Sequence, residues 1–233
     1  FGELMVIGVV ALVVIGPEVA VAAGIEMSEC RLHREGGRAH FMTRRFDRTD
    51  KGEKIHAQSL CAMMHFDFNR PDAYSYEQAL ATIRRLGMGM RDIEQQFRRA
   101  AFNVIGRNHD DHVKNIAYLM NKRGEWSLSP AFDVAYSYNP TGAWTSRHQM
   151  SINGKRDGFA QDDLVALARS GDIKRTKAIA ILEEVDAAVA AARAAFPAWR
   201  ATSLSRRTEI MFRIRNLVDA HRAAQSINAV VMS

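Results

Sequence analysis

"NHDDHVKN", residues 108–115, sets two histidines, two aspartates and a lysine between two asparagines. It follows "MRDIEQQFRRAAFNVIG" (residues 90–106), where Ile93, Phe97, Ala101, Val104 and Ile105 share one face of a predicted helix. It precedes "IAYLMNKRGEWSLSPAFDV" (residues 116–134), which reads as two short strands joined at "NKRG". The order is therefore helix, polar loop, hairpin, and then an aspartate, Asp133, between Phe132 and Val134.

Three chemistries suit this order. Phosphoryl transfer needs a carboxylate to orient or deprotonate the attacking hydroxyl, and oxygen ligands for the Mg²⁺ that neutralises the phosphates. Protein kinases supply these as Asp-x-x-x-x-Asn and a second aspartate beyond a short hairpin. Asp110 and Asn115 have that spacing, and Asp133 has that position. A metal-dependent phosphohydrolase would instead use His109, Asp110 and His112 with Asp133, but no Cys or Glu completes the set. The third reading is a polar loop ending the helix, with Asn, His and Asp as turn residues. Asp133 tips the balance to the first, because a carboxylate buried in an apolar segment requires a cation or a partner.

Farther out, "MSECRLHREGGRAHFMTRRFDR" (residues 27–48) reads as a hairpin turning at "EGGR". Residues 54–106 read as mainly helical, with Ser75 as an N-cap of the helix that ends at Gly87. Residues 137–158 are polar, aromatic and loop-rich, with a turn at "NPTG". Helices return at "DDLVALARSG" (162–171) and "KRTKAIAILEEVDAAVAAARAAF" (174–196), where Pro197 is expected to break the run. A last amphipathic helix is expected over residues 203–224. Trp126, Phe132 and Tyr136 are read as core, as are Met63, Met64, Met88 and Met90. Arg84, Arg85, Arg98 and Arg99 are read as solvated helix faces. Trp144 and His148 either border a substrate groove or pack, and Lys114 either contacts a transferring phosphate or is a surface lysine.

The 233 residues are 47% hydrophobic and 25% charged, as in ordinary globular proteins, with a net charge of +6. That charge suits an anionic partner without choosing among nucleotide, nucleic acid and lipid. Cys30 and Cys61 sit in no ligand pattern and read as buried thiols of a reducing compartment, with one disulfide between them as the alternative. "LMVIGVVALVVIG" (residues 4–16) is an uncharged apolar run closed by Pro17 and Glu18. It is shorter than the roughly 20 residues of a membrane span. It also lacks a basic n-region, so it reads as a poor secretory signal. A buried strand or helix and a membrane anchor stand equal here.

"RRFDR" (residues 44–48), "NHDDHVKN", "SPAFDVAYSYNPTG" (residues 129–142) and "HQMSINGKRDGF" (residues 148–159) together resemble the HipA family, the kinase toxins of bacterial toxin–antitoxin systems. The resemblance runs from about Val19 to about Val185. It implies an α+β, mostly helical fold: a protein-kinase-like large lobe with a remnant small-lobe hairpin. It implies ATP- and Mg²⁺-dependent phosphorylation of serine or threonine on a protein substrate. A DNA-binding antitoxin partner would accompany it, with no direct sequence-specific nucleic-acid binding by this chain. Carried over by motif, Asp110 is the catalytic base, Asn115 and Asp133 are the Mg²⁺ ligands, and Phe46 and Asp47 lie at the nucleotide-binding hinge, with Lys114 added as the phosphate contact. No lysine precedes Lys51, and no Gly-rich loop precedes the hairpin. The sequence thus departs from the family where a kinase holds the α- and β-phosphates. Weak nucleotide binding and little turnover are expected, and a non-catalytic interaction module is the alternative of a different class.

Phe1–Glu18 resembles the start of TatB-type twin-arginine translocase subunits, and Val185–Ala224 an N-terminal helical segment of NAD(P)-dependent aldehyde dehydrogenases. The expected organisation is an apolar head at 1–18, a kinase-like domain at 19–184 and a helical tail at 185–233. The expected location is cytoplasmic, with inner-membrane contact through residues 1–18 as the competing reading.

Overall fold

The computed structural model describes residues 16–35, 38–70 and 72–201. The apolar head up to residue 15 and the amphipathic helix expected at 203–224 lie outside the described residues. Residues 16–22 are helical (α1). Two antiparallel strands follow, β1 (Cys30–Glu35) and β2 (Arg38–Thr43), in the register Cys30↔Thr43. A three-stranded antiparallel sheet is built from β3 (His56–Ser59), β4 (Ala117–Met120) and β5 (Trp126–Leu128), ordered β3-β4-β5. The helices are α2 (Leu60–Met63), α3 (Tyr76–Arg85), α4 (Met90–Ile105), α5 (Gln161–Ser170) and α6 (Arg175–Ala201). Helix dominates, and both sheets are small and antiparallel, so the fold is mixed α and β as the sequence implies.

Local chemistry explains most of these elements. Ser75 opens α3 with a capping box: its Oγ accepts from the Gln78 amide at 3.3 Å, and Gln78 Oε1 accepts from the Ser75 amide at 2.8 Å. Helix α4 buries Ile93, Phe97, Ala100 and Ala101, each at 2% exposure or less, against α3 and α5. Burying a side chain the size of Phe97 contributes about 1.5–3 kcal/mol. Gly171, just past α5, lies so close to α3 and α4 that a Cβ there would meet Leu80 and Ile93 at 3.0 Å. Helix α4 also holds the end of α1: Arg98 donates to the Ala23 carbonyl at 2.7 Å, and Gln95 to that of Gly24 at 3.0 Å.

Among the described residues, those up to 190 form one compact unit, and 191–201, which are helical, belong to a second. The hydrophobic core lies in the first unit, reaching from Ala20 to Val189. Among the described residues no helix is long and apolar enough to cross a membrane.

Several sequence expectations need correction. Residues 56–59 are a strand, not helix, because β4 offers them a ladder from His56↔Met120 to Ser59↔Ala117. Pro197 lies inside α6 rather than ending the run. Proline removes one amide donor, and the alanine-rich stretch before it has high helix propensity. Arg99 is not solvated but 7% exposed, donating to the Ser129 carbonyl at 2.7 Å; burial pushes its pKa down to about 10. Met90 and Tyr136 are exposed rather than core, and Trp126, Phe132, Cys30 and Cys61 are half-buried.

Candidate functional site

The loop of Asn108–Asn115 begins where α4 stops. Gly106 caps the helix, Arg107 turns left-handed at φ 55°, and the chain leaves the α4 axis. The turn is fastened to the helix by Asn108, whose amide nitrogen donates to the Asn103 carbonyl at 2.9 Å and whose Nδ2 donates to Asn103 Oδ1 at 3.0 Å. At its far end the loop is held by α2, where Cys61 and Leu60 donate to the carbonyls of Val113 and Ile116 at 3.1 and 2.8 Å.

Within the loop the two aspartates face different surroundings. Asp111 is buried and collects three donors: Tyr76 Oη at 2.8 Å on Oδ2, His148 Nδ1 at 2.8 Å on Oδ2, and the Gln149 amide at 2.7 Å on Oδ1. Tyr76 in turn accepts from Asn103 Nδ2 at 2.8 Å. Burial and the Asp111 carboxylate raise the Tyr76 phenol well above its ordinary pKa, so it stays a donor. Asp110 points the other way, its side chain 48% exposed, with His112 Nε2 3.8 Å from its Oδ1. Asn115 Nδ2 donates to the Asp110 carbonyl at 2.9 Å, and among the described residues Asn115 Oδ1 has no hydrogen-bond partner.

Asp133 lies after the hairpin in left-handed conformation, φ 55°, and is exposed. The expectation of a carboxylate buried among apolar neighbours is therefore corrected: its neighbours turn inward and it turns out. Among the described residues it has no hydrogen bond or ion pair. The segment around it is held at both ends. On one side the Ala131 amide donates to the Glu26 carbonyl at 2.7 Å. On the other, Ser137 Oγ accepts from the Asp110 amide at 2.9 Å and donates to Asn108 Oδ1 at 3.1 Å. Phe46 meets Phe132, the residue before Asp133, with ring centroids 5.4 Å apart. The segments of Phe46, Asp133, Asp110 and Asn115 are thus linked by direct contacts.

Asp47 beside Phe46 is committed to its own motif. Arg45 grips it with Nε on Oδ1 at 2.8 Å and Nη2 on Oδ2 at 2.6 Å, and Arg48 Nη1 adds a bond at 2.7 Å. The Arg45 bond holds the Asp47 pKa down to about 2, so it remains an acceptor for these arginines. Lys114 lies with its ammonium 3.5 Å from the centre of the Phe68 ring, a cation–π contact on an exposed side chain.

The histidines do not form a metal site. His109 packs against His148 and Tyr138, with centroids 4.1 and 4.8 Å away. Burial first, and then the neighbouring His148, push its pKa down to about 4. Among the described residues no group of three or more His, Cys, Asp and Glu could hold a metal ion. The phosphohydrolase reading therefore loses its ligand set. Mg²⁺ needs less from the protein, because it keeps waters and takes oxygens from phosphates. The Asn115 amide oxygen and the exposed Asp133 carboxylate are hard donors of the right kind.

The profile of HipA-like C-terminal domains matches residues 15–193, most of the chain. The chain belongs to the HipA-like C-terminal domain family. Its HipA-like fold is also that of the Shewanella oneidensis MR-1 toxin–antitoxin protein HipA, solved in complex with HipB and its operator DNA: TM-score 0.69, 17% identity, 88% of this chain covered. The chain spans 53% of that relative's length. The aldehyde dehydrogenase family profile matches residues 170–230, which begin at the end of α5, take in α6 and continue past the described residues. Curated proteins gave no match.

In this HipA-like domain, sequence reading missed the residues that hold the loop from behind. Asp111 was overshadowed by its neighbour, although its place in the same octapeptide was a signal. Tyr76 and Ser137 carried none, since their contacts reach across 35 and 27 residues, whereas His148, read as either bordering a groove or packing, is buried and packs.

Proposed function

We propose that the chain forms the large, kinase-like lobe of a HipA-type serine/threonine protein kinase that uses ATP and Mg²⁺. The observation that carries this reading is the arrangement of Asp110, Asn115 and Asp133. An exposed carboxylate, a half-exposed one and an amide oxygen lie on segments tied together through Ser137 and through the Asn115–Asp110 bond. In this reading Asp110 orients the attacking hydroxyl of a protein substrate and takes its proton. Asn115 and Asp133 would hold Mg²⁺, which would supply positive charge to offset that of the phosphates. Phe46 borders the nucleotide, and Asp47 keeps Arg45 and Arg48 in place around it. Lys114 reaches a phosphate only by leaving the Phe68 ring, a contact worth about 0.5–1 kcal/mol at an exposed site.

The proposed division is a head at 1–18, the kinase-like domain at 19–184 and a helical tail at 185–233. The likeness to a HipA solved with HipB and operator DNA supports an antitoxin-like, DNA-binding partner for this chain. DNA contact would then fall to the partner, and a cytoplasmic location agrees with that role.

The test is Mg²⁺-dependent ATP binding by the whole chain. Asp133→Ala is expected to abolish the Mg²⁺ dependence while leaving the circular dichroism spectrum intact. No binding at millimolar ATP would overturn the kinase reading and favour a non-catalytic interaction module.

A further inference from the structure

The two halves of the candidate site come from distant parts of the chain. Asp110 follows α4, and Asp133 follows β5. In-line phosphoryl transfer demands a set separation between the base and the metal-binding carboxylate, because misplacement by about 1 Å can cost on the order of 100-fold in rate. Asp133 is exposed and, among the described residues, unbonded, and the half-exposed Asp110 side chain has only His112 Nε2 near it, at 3.8 Å. Their separation must be set by the backbones that bear them.

Those backbones meet at Ser137. Its amide donates to the Arg107 carbonyl at 3.2 Å, which brings the chain after Asp133 alongside the start of the loop. Its hydroxyl then makes two bonds at once, accepting from the Asp110 amide at 2.9 Å and donating to Asn108 Oδ1 at 3.1 Å. Asn108 is itself fastened to Asn103 in α4, so the hydroxyl is fixed to a rigid helix and not to a free loop. Upstream, the Ala131 amide bond to the Glu26 carbonyl fixes the other end of the Asp133 segment. Asp133 sits between these anchors in the left-handed region, a conformation that persists when both flanks are held.

We propose that Ser137 is a positioning residue that sets the separation of Asp110 and Asp133. A hydroxyl is required, since one atom must accept from an amide and donate to a carbonyl oxygen together. Alanine loses both bonds, and threonine keeps both. The proposal rests on the kinase reading of Asp110 and Asp133, but its geometric core is the bond from the Asp110 amide to Ser137.

The experiment compares the full chain with S137A and S137T, using Mg²⁺-ATP titration and amide hydrogen exchange at Asp110. S137A is expected to weaken Mg²⁺-ATP binding by roughly 10-fold, the usual loss when an outer partner of a metal site is removed. It is also expected to speed exchange of the Asp110 amide, with S137T restoring both. Unchanged binding in S137A would overturn the proposal, as would a loss that S137T fails to restore. If the unmodified chain binds no Mg²⁺-ATP, the kinase reading fails by itself. Exchange then decides the anchor: faster in S137A and restored in S137T supports it, and unchanged overturns it. Circular dichroism of each variant separates these outcomes from unfolding.

Discussion

Asp110 and Asp111 are adjacent carboxylates that the fold treats in opposite ways. Asp111 is enclosed by Tyr76, His148 and the Gln149 amide, and so fixes which way the chain must run through the loop. Asp110, its neighbour, keeps a side chain that is 48% exposed. Removing Asp111 leaves three buried donors without an acceptor. Asp111→Ala is expected to destabilise the chain by about 3 kcal/mol, read as a shift in the urea midpoint with little change in slope. His109 adds a pH dependence. In the folded chain its pKa lies at about 4, against an ordinary 6.5. Between those values the unfolded chain carries a proton there that the folded chain refuses. The unfolded state therefore binds more protons, and stability falls as pH drops through that window. His109→Phe is expected to flatten the fall in thermal midpoint between pH 7 and pH 4, where about 6.5 and about 4 bracket the lost slope.

At the scale of elements, the segment bearing Asp133 depends on a close approach by α1. A Cβ at Gly16 would press into the Val134 carbonyl, so glycine is needed for helix and segment to touch. Gly16→Ala is expected to cost about 1–3 kcal/mol by overpacking and to weaken Mg²⁺-ATP binding, measured by denaturant unfolding and by titration. Element legibility followed range. Helices α3 and α4 and the β4–β5 hairpin were readable, because caps, periodicity and turn residues are local signals. Strand β3 was not, because "HAQS" carries no alternation and becomes a strand only by pairing with β4, some 60 residues on. Arg99 failed for a similar reason. Its charge suggests solvent, and only the packing of α4 shows that the Ser129 carbonyl waits beside it.

At the scale of the molecule, the chain is a HipA-like domain spanning 53% of the length of a solved HipA. The phosphate and metal contacts proposed on this chain are Asn115, Asp133 and Lys114. So few contacts are expected to bind Mg²⁺-ATP with a Kd near 1 mM, about −4 kcal/mol, and to give slow phosphate transfer to protein. Calorimetric titration and a radiolabelled γ-phosphate assay check the two parts separately. Micromolar binding would show that further groups hold the phosphates, with the arginines of "RRFDR" the first to examine.

The sequence by itself determined the family, the order of loop, hairpin and aspartate, and the elements whose signals lie within one or two turns of chain. Its motif named Asp110, Asn115 and Asp133 without their surroundings. Tertiary structure decided that Asp133 faces outward, that Asp111 and not a histidine anchors the loop, and that Ser137 joins the two halves of the site. The physical reason is range. Periodicity, capping and turn chemistry are written among neighbours in the chain, whereas burial and hydrogen-bond partnership are set by whichever distant segment packs alongside.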